Sequence, residues 1–353
     1  MYSIRMDIKK LVKKNLIVKT YAGSIAYGTN LPTSDVDIRG IFCADPVNIL
    51  TPFYPVKESV DLNEEDTKYY ELSHFMKLCL NCNPNIIELL WTDPEHIIFS
   101  TPAYEIFREN RHRLLSSKIA FTTSEYAMAQ LKKLNSHYKW INNKQPKNPP
   151  QPKDFVSMVQ HFSSDKMLKL NIEDWNEDHR LIPYGNDIYG IYHEYDRTLY
   201  DKIGKLNTTF EHDRELHDRP IMIVKFNIQT YKDSKTKHAN YWMWKKNRNK
   251  VRSELEEKNK YDTKNAMHLV RLLKMGVEAL RDEEIIVKRP DAQELLDIRN
   301  GSLTYDELIK YAEAMDKEVR EVWYKKTKLP KHPDIKFAAQ LLMDIQDSIW
   351  NDE

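Results

Sequence analysis

The sequence predicts a protein of the α/β (α+β) class, with a mixed sheet in residues 1–120 and a mainly helical region over 121–353. Three observations carry that expectation. Apolar spacing in the first part of the chain switches repeatedly between the helical and the strand period. Beyond Ala103 almost every periodic segment keeps helical spacing. A proline-rich stretch, Asn142 to Lys153 (NNKQPKNPPQPK), interrupts the second part and reads as an exposed loop near 142–153.

Taken in order, Ile8, Leu11 and Val12 recur at helical spacing among lysines, which predicts a short amphipathic helix over Asp7 to Asn15. Leu16 to Ala22 (LIVKTYA) reads as a strand running straight into Gly23-Ser24. Thr29 to Ser34 (TNLPTS) has turn chemistry, and Val36 to Phe42 (VDIRGIF) reads as the next strand, with alternating faces. A third strand is expected over Asp66 to Tyr70 and a helix over Glu71 to Leu80, which the Asn83-Pro84 step stops. Ile86 to Trp91 adds a helical turn or two. Further helices are expected over Ser124–Trp140, Thr263–Arg281, Ala292–Asn300 and Tyr305–Tyr324. The stretch Asp165 to His217 is rich in Tyr, Asp and His, has no clear period, and receives no element.

Composition narrows the function classes. Lys plus Arg total 54 against 53 for Asp plus Glu, a net charge of +1, so any basic surface for nucleic acid must be local. No apolar run approaches the roughly 18 residues of a membrane span, and the first residues alternate Ile, Leu and Val with Lys. The expectation is a cytoplasmic protein without a membrane partner. Cys43, Cys79 and Cys82 are an odd, sparse set suited to a reducing compartment. Cys79 and Cys82 form a C-x-x-C, but no second pair exists to complete a zinc site, so buried thiols are expected.

The chemistry is concentrated in Tyr21 to Phe42, YAGSIAYGTNLPTSDVDIRGIF, where a Gly-Ser turn stands ten residues ahead of an Asp-x-Asp pair. Side chains two apart on a strand share a face, so Asp35 and Asp37 are expected to project together toward hard cations while Val36 and Ile38 face the core. Gly23 allows close backbone approach to a phosphate. Ser24, capping a short helix over Ile25 to Tyr27, would offer its hydroxyl and the following N–H groups to a triphosphate. Attack of a hydroxyl on an α-phosphate needs mainly positioning and charge neutralisation, which metals on adjacent carboxylates supply.

Gly23-Ser24, ten residues and then Asp35-Val36-Asp37-Ile38 resembles the signature of the polymerase β nucleotidyltransferase superfamily. The fuller GSIAYGTNLPTSDVDIRGIF, with DTKYYELSHFMKLCLNCNPNIIELLW and the later YDTKNAMHLVRLLKMGVEAL, resembles the predicted nucleotidyltransferase family linked to RNA repair in bacteria and phages. Lys144 to Arg219 stays outside the resemblance. The resemblance implies an NTP-using enzyme with two Mg²⁺ ions, or Mn²⁺ in their place, and a third carboxylate from a neighbouring strand. Asp66 is the expected third ligand. Glu71, five residues on, faces the other way on a regular strand and reads as a helix N-terminal acid; Asp61, Glu64 and Glu65 are outside alternatives.

Two further clusters complete the expected site. Lys264, His268 and Arg271 fall at i, i+4 and i+7 of a helix; with the resemblance they are assigned to the NTP triphosphate, although a solvated helix face has the same pattern. Tyr231 to Arg252 holds eight Lys or Arg and one Asp interleaved with Tyr231, Tyr241, Trp242 and Trp244. Lys245, Lys246 and Arg248 are its candidates for binding an RNA acceptor, and a solvated helix with inward aromatics is the alternative. The acceptor hydroxyl is expected at an RNA 3′ end. Nucleotidylation of a protein or small molecule is the rival chemistry, and a catalytically silent nucleotide- or nucleic-acid-binding protein the rival class.

Overall fold

The computed structural model describes residues 7–62, 66–161, 179–193, 222–248 and 250–351. Contacts divide the chain into two compact units, Met1–Asn142 with Lys250–Glu353, and Asn143–Asn249.

In the first unit the chain opens with α1 (Ile8–Lys14), whose N-terminus is capped by Asp7 accepting from the Lys9 and Lys10 amides. Leu11 and Val12 form its buried stripe. There follow β1 (Leu16–Tyr21), α2 (Gly23–Tyr27), β2 (Ile38–Phe42), α3 (Pro46–Leu50), β3 (Ser59–Asp61) and β4 (Thr67–Glu71). Next come α4 (Leu72–Leu80), α5 (Pro84–Ile87), β5 (Ile97–Ser100), α6 (Pro102–Glu109), α7 (Arg111–Leu114) and α8 (Ile119–Asn142).

The five strands form one mixed sheet in the order β3-β4-β2-β1-β5. β1 runs antiparallel to β2 and β5, whereas β2 and β4 are parallel, with Ile38 opposite Thr67 and Arg39 opposite Lys68. Alternation along β4 sends Tyr69 to the cluster with Leu11, Val12, Phe42 and Val60, and Tyr70 to the larger core with Leu72, Phe75 and Ile87.

The second unit contains β6 (Val156–His161), β7 (His179–Gly185), β8 (Ile188–His193), β9 (Met222–Phe226) and α9 (Ile228–Lys246). Its strands form an antiparallel sheet, β6-β9-β8-β7, over a core of Leu181, Ile191, Val224, Phe226 and Tyr231. This sheet departs from the helical expectation for the region. The β7–β8 turn is a two-residue loop with Asn186 and Asp187 both at positive φ, the mirror-image turn that suits a twisted hairpin. Most of the stretch left unassigned, Asp165 to His217, lies outside the described residues, as do Glu64 and Glu65.

The first unit resumes with α10 (Lys250–Asn259), α11 (Thr263–Asp282), α12 (Ala292–Arg299), α13 (Tyr305–Lys317), α14 (Tyr324–Lys326) and α15 (Ile335–Asn351). α11 is the central strut. Its Met275, Val277, Ala279 and Leu280 enter the same core as β1, β2 and α4, and its Met267 and Val270 pack with Leu134, Leu295 and Leu308. At roughly 1.5–3 kcal/mol for each large side chain buried, this stripe outweighs any helix propensity in fixing α11 to the sheet domain. Gly276 lies against Thr123 of α8, where a side chain would not fit, so the two helices approach closely. Residue 120, the expected end of the α/β part, sits in the first turn of α8, and the break in contacts falls at the ends of 143–249.

Among the described residues no helix is long and apolar enough to cross a membrane. Cys43, Cys79 and Cys82 are all buried free thiols.

Candidate active site

The site begins where β2 and β4 start side by side. Asp35 and Asp37 are not on the strand, as the sequence pattern suggests, but in the extended segment before it, and Val36 is exposed at 36% rather than turned to the core. The strand ladder starts only at Ile38, whose N–H donates to the Asp66 carbonyl at 3.1 Å, while the Asp37 carbonyl accepts from Ala22 N at 2.9 Å. The parallel register sets Asp66, immediately ahead of β4, beside Asp37. Arg39 ties this corner together, its Nη1 donating to the Ile38 and Asp66 carbonyls at 2.9 Å and its Nη2 lying 3.8 Å from Asp37 Oδ1.

Gly23 meets the same carboxylate. It has φ +58°, and any Cβ there would run into Asp37 Oδ2, so a side chain is excluded both by backbone conformation and by space. α2 starts at Gly23 with Ala22 at its N-cap; Ser24 is therefore inside the first turn rather than the cap, because Gly23 itself supplies the turn.

Asp37 is the electrostatic centre. Burial holds its carboxyl above the ordinary carboxylate range; Arg39 opposes this, Asp66 and Asp35 add to it, and Lys264 of α11 pulls it down. Two carboxylates, one guanidinium and one ammonium thus act on a single group, although Lys264 is remote in sequence. If the site transfers nucleotides as the sequence resemblance implies, Asp66→Ala is expected to lower the rate about 10- to 100-fold, the scale of losing a group that supports a metal. Glu71 has different work. Buried at the end of β4, it caps α4 by accepting from the Ser73 and His74 amides at 2.8 and 3.2 Å, and burial pushes its carboxyl up. Glu71→Ala should cost about 1 kcal/mol of stability with kcat nearly intact; denaturant midpoints and initial rates on both variants check this, and the reverse order would make Glu71 the third ligand.

Next to Asp37 opens a cavity of about 360 Å³, within the range of small-molecule sites, about 300–1,000 Å³. Gly23, Tyr27, Asp37, Arg39, Lys68, Glu88, His268 and Arg271 are among the residues lining it. Arg271 is only 4% exposed. Its guanidinium lies 3.8 Å from the Tyr27 ring centre, and its Nη1 is 3.5 Å from Glu88 Oε2. The Tyr27 hydroxyl donates to Glu88 Oε1 at 2.6 Å. Burial raises the Glu88 carboxyl while Arg271 and the Tyr27 bond lower it, leaving a net upward shift.

Of the residues singled out in the sequence, Gly23, Asp35, Asp37, Asp66 and Lys264 gather around one carboxylate, and His268 and Arg271 line the adjoining cavity. Lys245 and Lys246 are exposed on α9 of the other unit. Lys245 Nζ stands 4.9 Å from the Trp242 ring centre, and Arg248 is 4.4 Å from that of Trp244. Sequence reasoning passed over Arg39, Lys68, Tyr27 and Glu88. The first two had a signal, since each lies two residues beyond an aspartate already chosen, hence on the same face of an extended chain.

A second acidic group lies away from the cavity. Ligand atoms of His137, Glu256 and Asp262 fall within 4.8 Å of one another. Asp262 there caps α11 by accepting from Asn265 N, and its Oδ2 is 2.7 Å from His137 Nδ1.

Residues 4–146 match the RNA repair pathway DNA polymerase beta family, which points to nucleotidyl transfer. Over 204 residues the chain is 28% identical to an uncharacterized 38.9 kDa protein in the nrdC-mobD intergenic region of Enterobacteria phage T4, a match covering 52% of this chain and 57% of that relative. The chain thus spans just over half the length of the curated relative it matches. No solved structure matches it.

Proposed function

We propose, with the family match of residues 4–146 as premise, that this chain moves a nucleoside monophosphate from an NTP to an acceptor hydroxyl. The observation that carries the reading is the convergence of Gly23, Asp35, Asp66 and Lys264 on Asp37. A half-buried carboxylate held up by two others is a poor anion by itself and a good ligand for a hard divalent cation, so the donor set fits Mg²⁺ or Mn²⁺. When bound at Asp35, Asp37 and Asp66, two such ions supply charge neutralisation and positioning for the triphosphate.

The chain's own residues do the rest. Gly23 lets the backbone come close to phosphate, and Ser24 in the first turn of α2 presents its hydroxyl and N–H. Lys264, with His268 on the next turn of α11, brings cationic and hydrogen-bonding groups to the triphosphate from the far side. The acceptor oxygen forms a bond to the α-phosphorus, the bond from that phosphorus to the bridging oxygen breaks, and pyrophosphate carries away the electron pair. The hydroxyl proton passes to solvent or to a basic oxygen at the site.

The acceptor is an RNA 3′ end. Its support is α9 and the residues just after it, where Lys245 stands over Trp242 and Arg248 over Trp244, a pairing of charge and aromatic planes that suits single-stranded nucleic acid. Labelled NTP offered with Mg²⁺ to RNA, protein and metabolites tests the reading. Label on RNA supports it, label on protein or a small molecule transfers the chemistry to another acceptor, and no incorporation with any acceptor leaves a silent binding protein. Neutralising Lys245, Lys246 and Arg248 together is expected to flatten the salt dependence of RNA binding by about 2 in the log–log slope, at roughly 0.7 per lost phosphate contact. An unchanged slope in a filter-binding titration would remove α9 from the acceptor site.

A further inference from the structure

We propose that the end of the cavity floored by Tyr27, Glu88 and Arg271 seats the nucleobase rather than phosphate, and that the carboxamides of Gln130 and Asn85 read an adenine there. The inference rests on the nucleotidyl-transfer reading and assigns the substrate end that reading leaves open.

Charge is the first reason. Arg271 looks in the sequence like a phosphate clamp, but its guanidinium is buried against the Tyr27 ring and faced by a buried carboxylate at an ion-pair distance of 3.5 Å. An arginine already neutralised inside the protein adds little attraction for a polyanion. Arg39 and Lys68, by contrast, line the cavity with Asp37, and Lys264 acts on that same carboxylate. The lining therefore combines charged side chains, Asp37, Arg39 and Lys68, with an ion pair, Glu88 and Arg271, that is internally neutral.

Hydrogen-bonding capacity is the second. Arg271 Nε is buried without a hydrogen-bond partner, and Arg271 Nη1 and Glu88 Oε2 meet only each other, at 3.5 Å, on residues 4% and 5% exposed. A donor this deep without an acceptor is costly unless a ligand or a small shift satisfies it. The same cavity is lined by polar, uncharged Asn85, Tyr126 and Gln130, and by apolar Leu272. A planar, neutral group with alternating donors and acceptors fits that chemistry, and a phosphate does not. Carboxamides pair in two-point fashion with the amino and ring-nitrogen edge of adenine.

Calorimetric titration of the full chain with Mg²⁺ and four non-hydrolysable NTP analogues, alongside tripolyphosphate, tests this. The adenine analogue should bind about ten-fold or more tightly than the uracil analogue and tripolyphosphate, the scale of one good base contact. Gln130→Ala and Asn85→Ala should each erode that preference and leave tripolyphosphate affinity unchanged, which also shows the variants to be folded. Equal binding of all four analogues and tripolyphosphate overturns the base assignment while the phosphate end stands. Preference for another base overturns the adenine assignment. No binding of any analogue or of tripolyphosphate overturns the nucleotidyl-transfer reading itself.

Discussion

Asp37→Asn should abolish transfer, by at least about 100-fold, and should stabilise the metal-free protein rather than weaken it. The two effects have one cause. Asp37 is held above the ordinary carboxylate range first by burial and then, against the pull of Arg39 and Lys264, by Asp66 and Asp35. A carboxyl whose folded pKa exceeds its unfolded value binds its proton more tightly in the native state, so its contribution to stability is fully present at acid pH and is lost as pH rises through the folded value. At neutral pH the ionised side chain is thus a burden that asparagine removes at almost the same volume. Mg²⁺ should reverse the order, since a ligand that binds only the native state stabilises the wild type by mass action and has lost a donor in the variant. Melting curves across pH, with and without Mg²⁺, together with label incorporation, check all of this. A variant that still transfers nucleotide, or that Mg²⁺ stabilises as much as wild type, removes Asp37 from the metal site.

Arg271→Ala is expected to destabilise the fold by about 3–5 kcal/mol, because it strands Glu88 as a buried carboxylate without its cation. Glu88 Oε1 would keep the Tyr27 hydroxyl, but Oε2, already without a hydrogen bond, would lose its ion partner. The loss should shrink at acid pH. Glu88 is already pushed upward by burial against the opposing Arg271 charge, so without that charge it protonates more readily, and its native-state proton restores stability as pH falls through the raised value. Replacing Glu88 and Arg271 together by apolar residues should cost less than Arg271→Ala alone, leaving mainly the buried Tyr27 hydroxyl to find a partner, about 1–3 kcal/mol. Denaturant midpoints for the two single variants and the double variant measure the coupling. Additive losses would mean the pair is not energetically linked. Kinetics of Arg271→Ala then need a folded-fraction control.

The nearness of Gly23 to Asp37 was legible because it is written in nearby residues. The Gly23-Ser24 turn and the Asp35-x-Asp37 pair stand close together in sequence, and in the fold Gly23 touches Asp37. The strand was read as starting two residues early, since alternation cannot distinguish a paired residue from an extended one just ahead of the ladder. Glu71 reads as a helix acid from its odd spacing to Asp66, and it does cap α4. Glu88 was invisible for the opposite reason: it sits in the apolar run IIELLW, and its partners Tyr27 and Arg271 lie far away in the chain. The second sheet escaped because its strands are short and separated by long unpatterned sequence, although Asn186-Asp187 was a usable hairpin signal.

The position of α11 has a consequence for how the protein is made. Its apolar stripe completes the core begun by β1, β2 and α4, and its His268 and Arg271 line the same cavity as Gly23 and Asp37. On a ribosome, the whole of 143–249 emerges between those halves, a delay on the order of ten seconds at typical synthesis rates. During that interval the nascent sheet domain exposes the surface α11 will cover and lacks the part of the cavity lining that His268 and Arg271 supply. A chain stopped anywhere before α11 would therefore leave that core uncovered and be a client for chaperones and proteases.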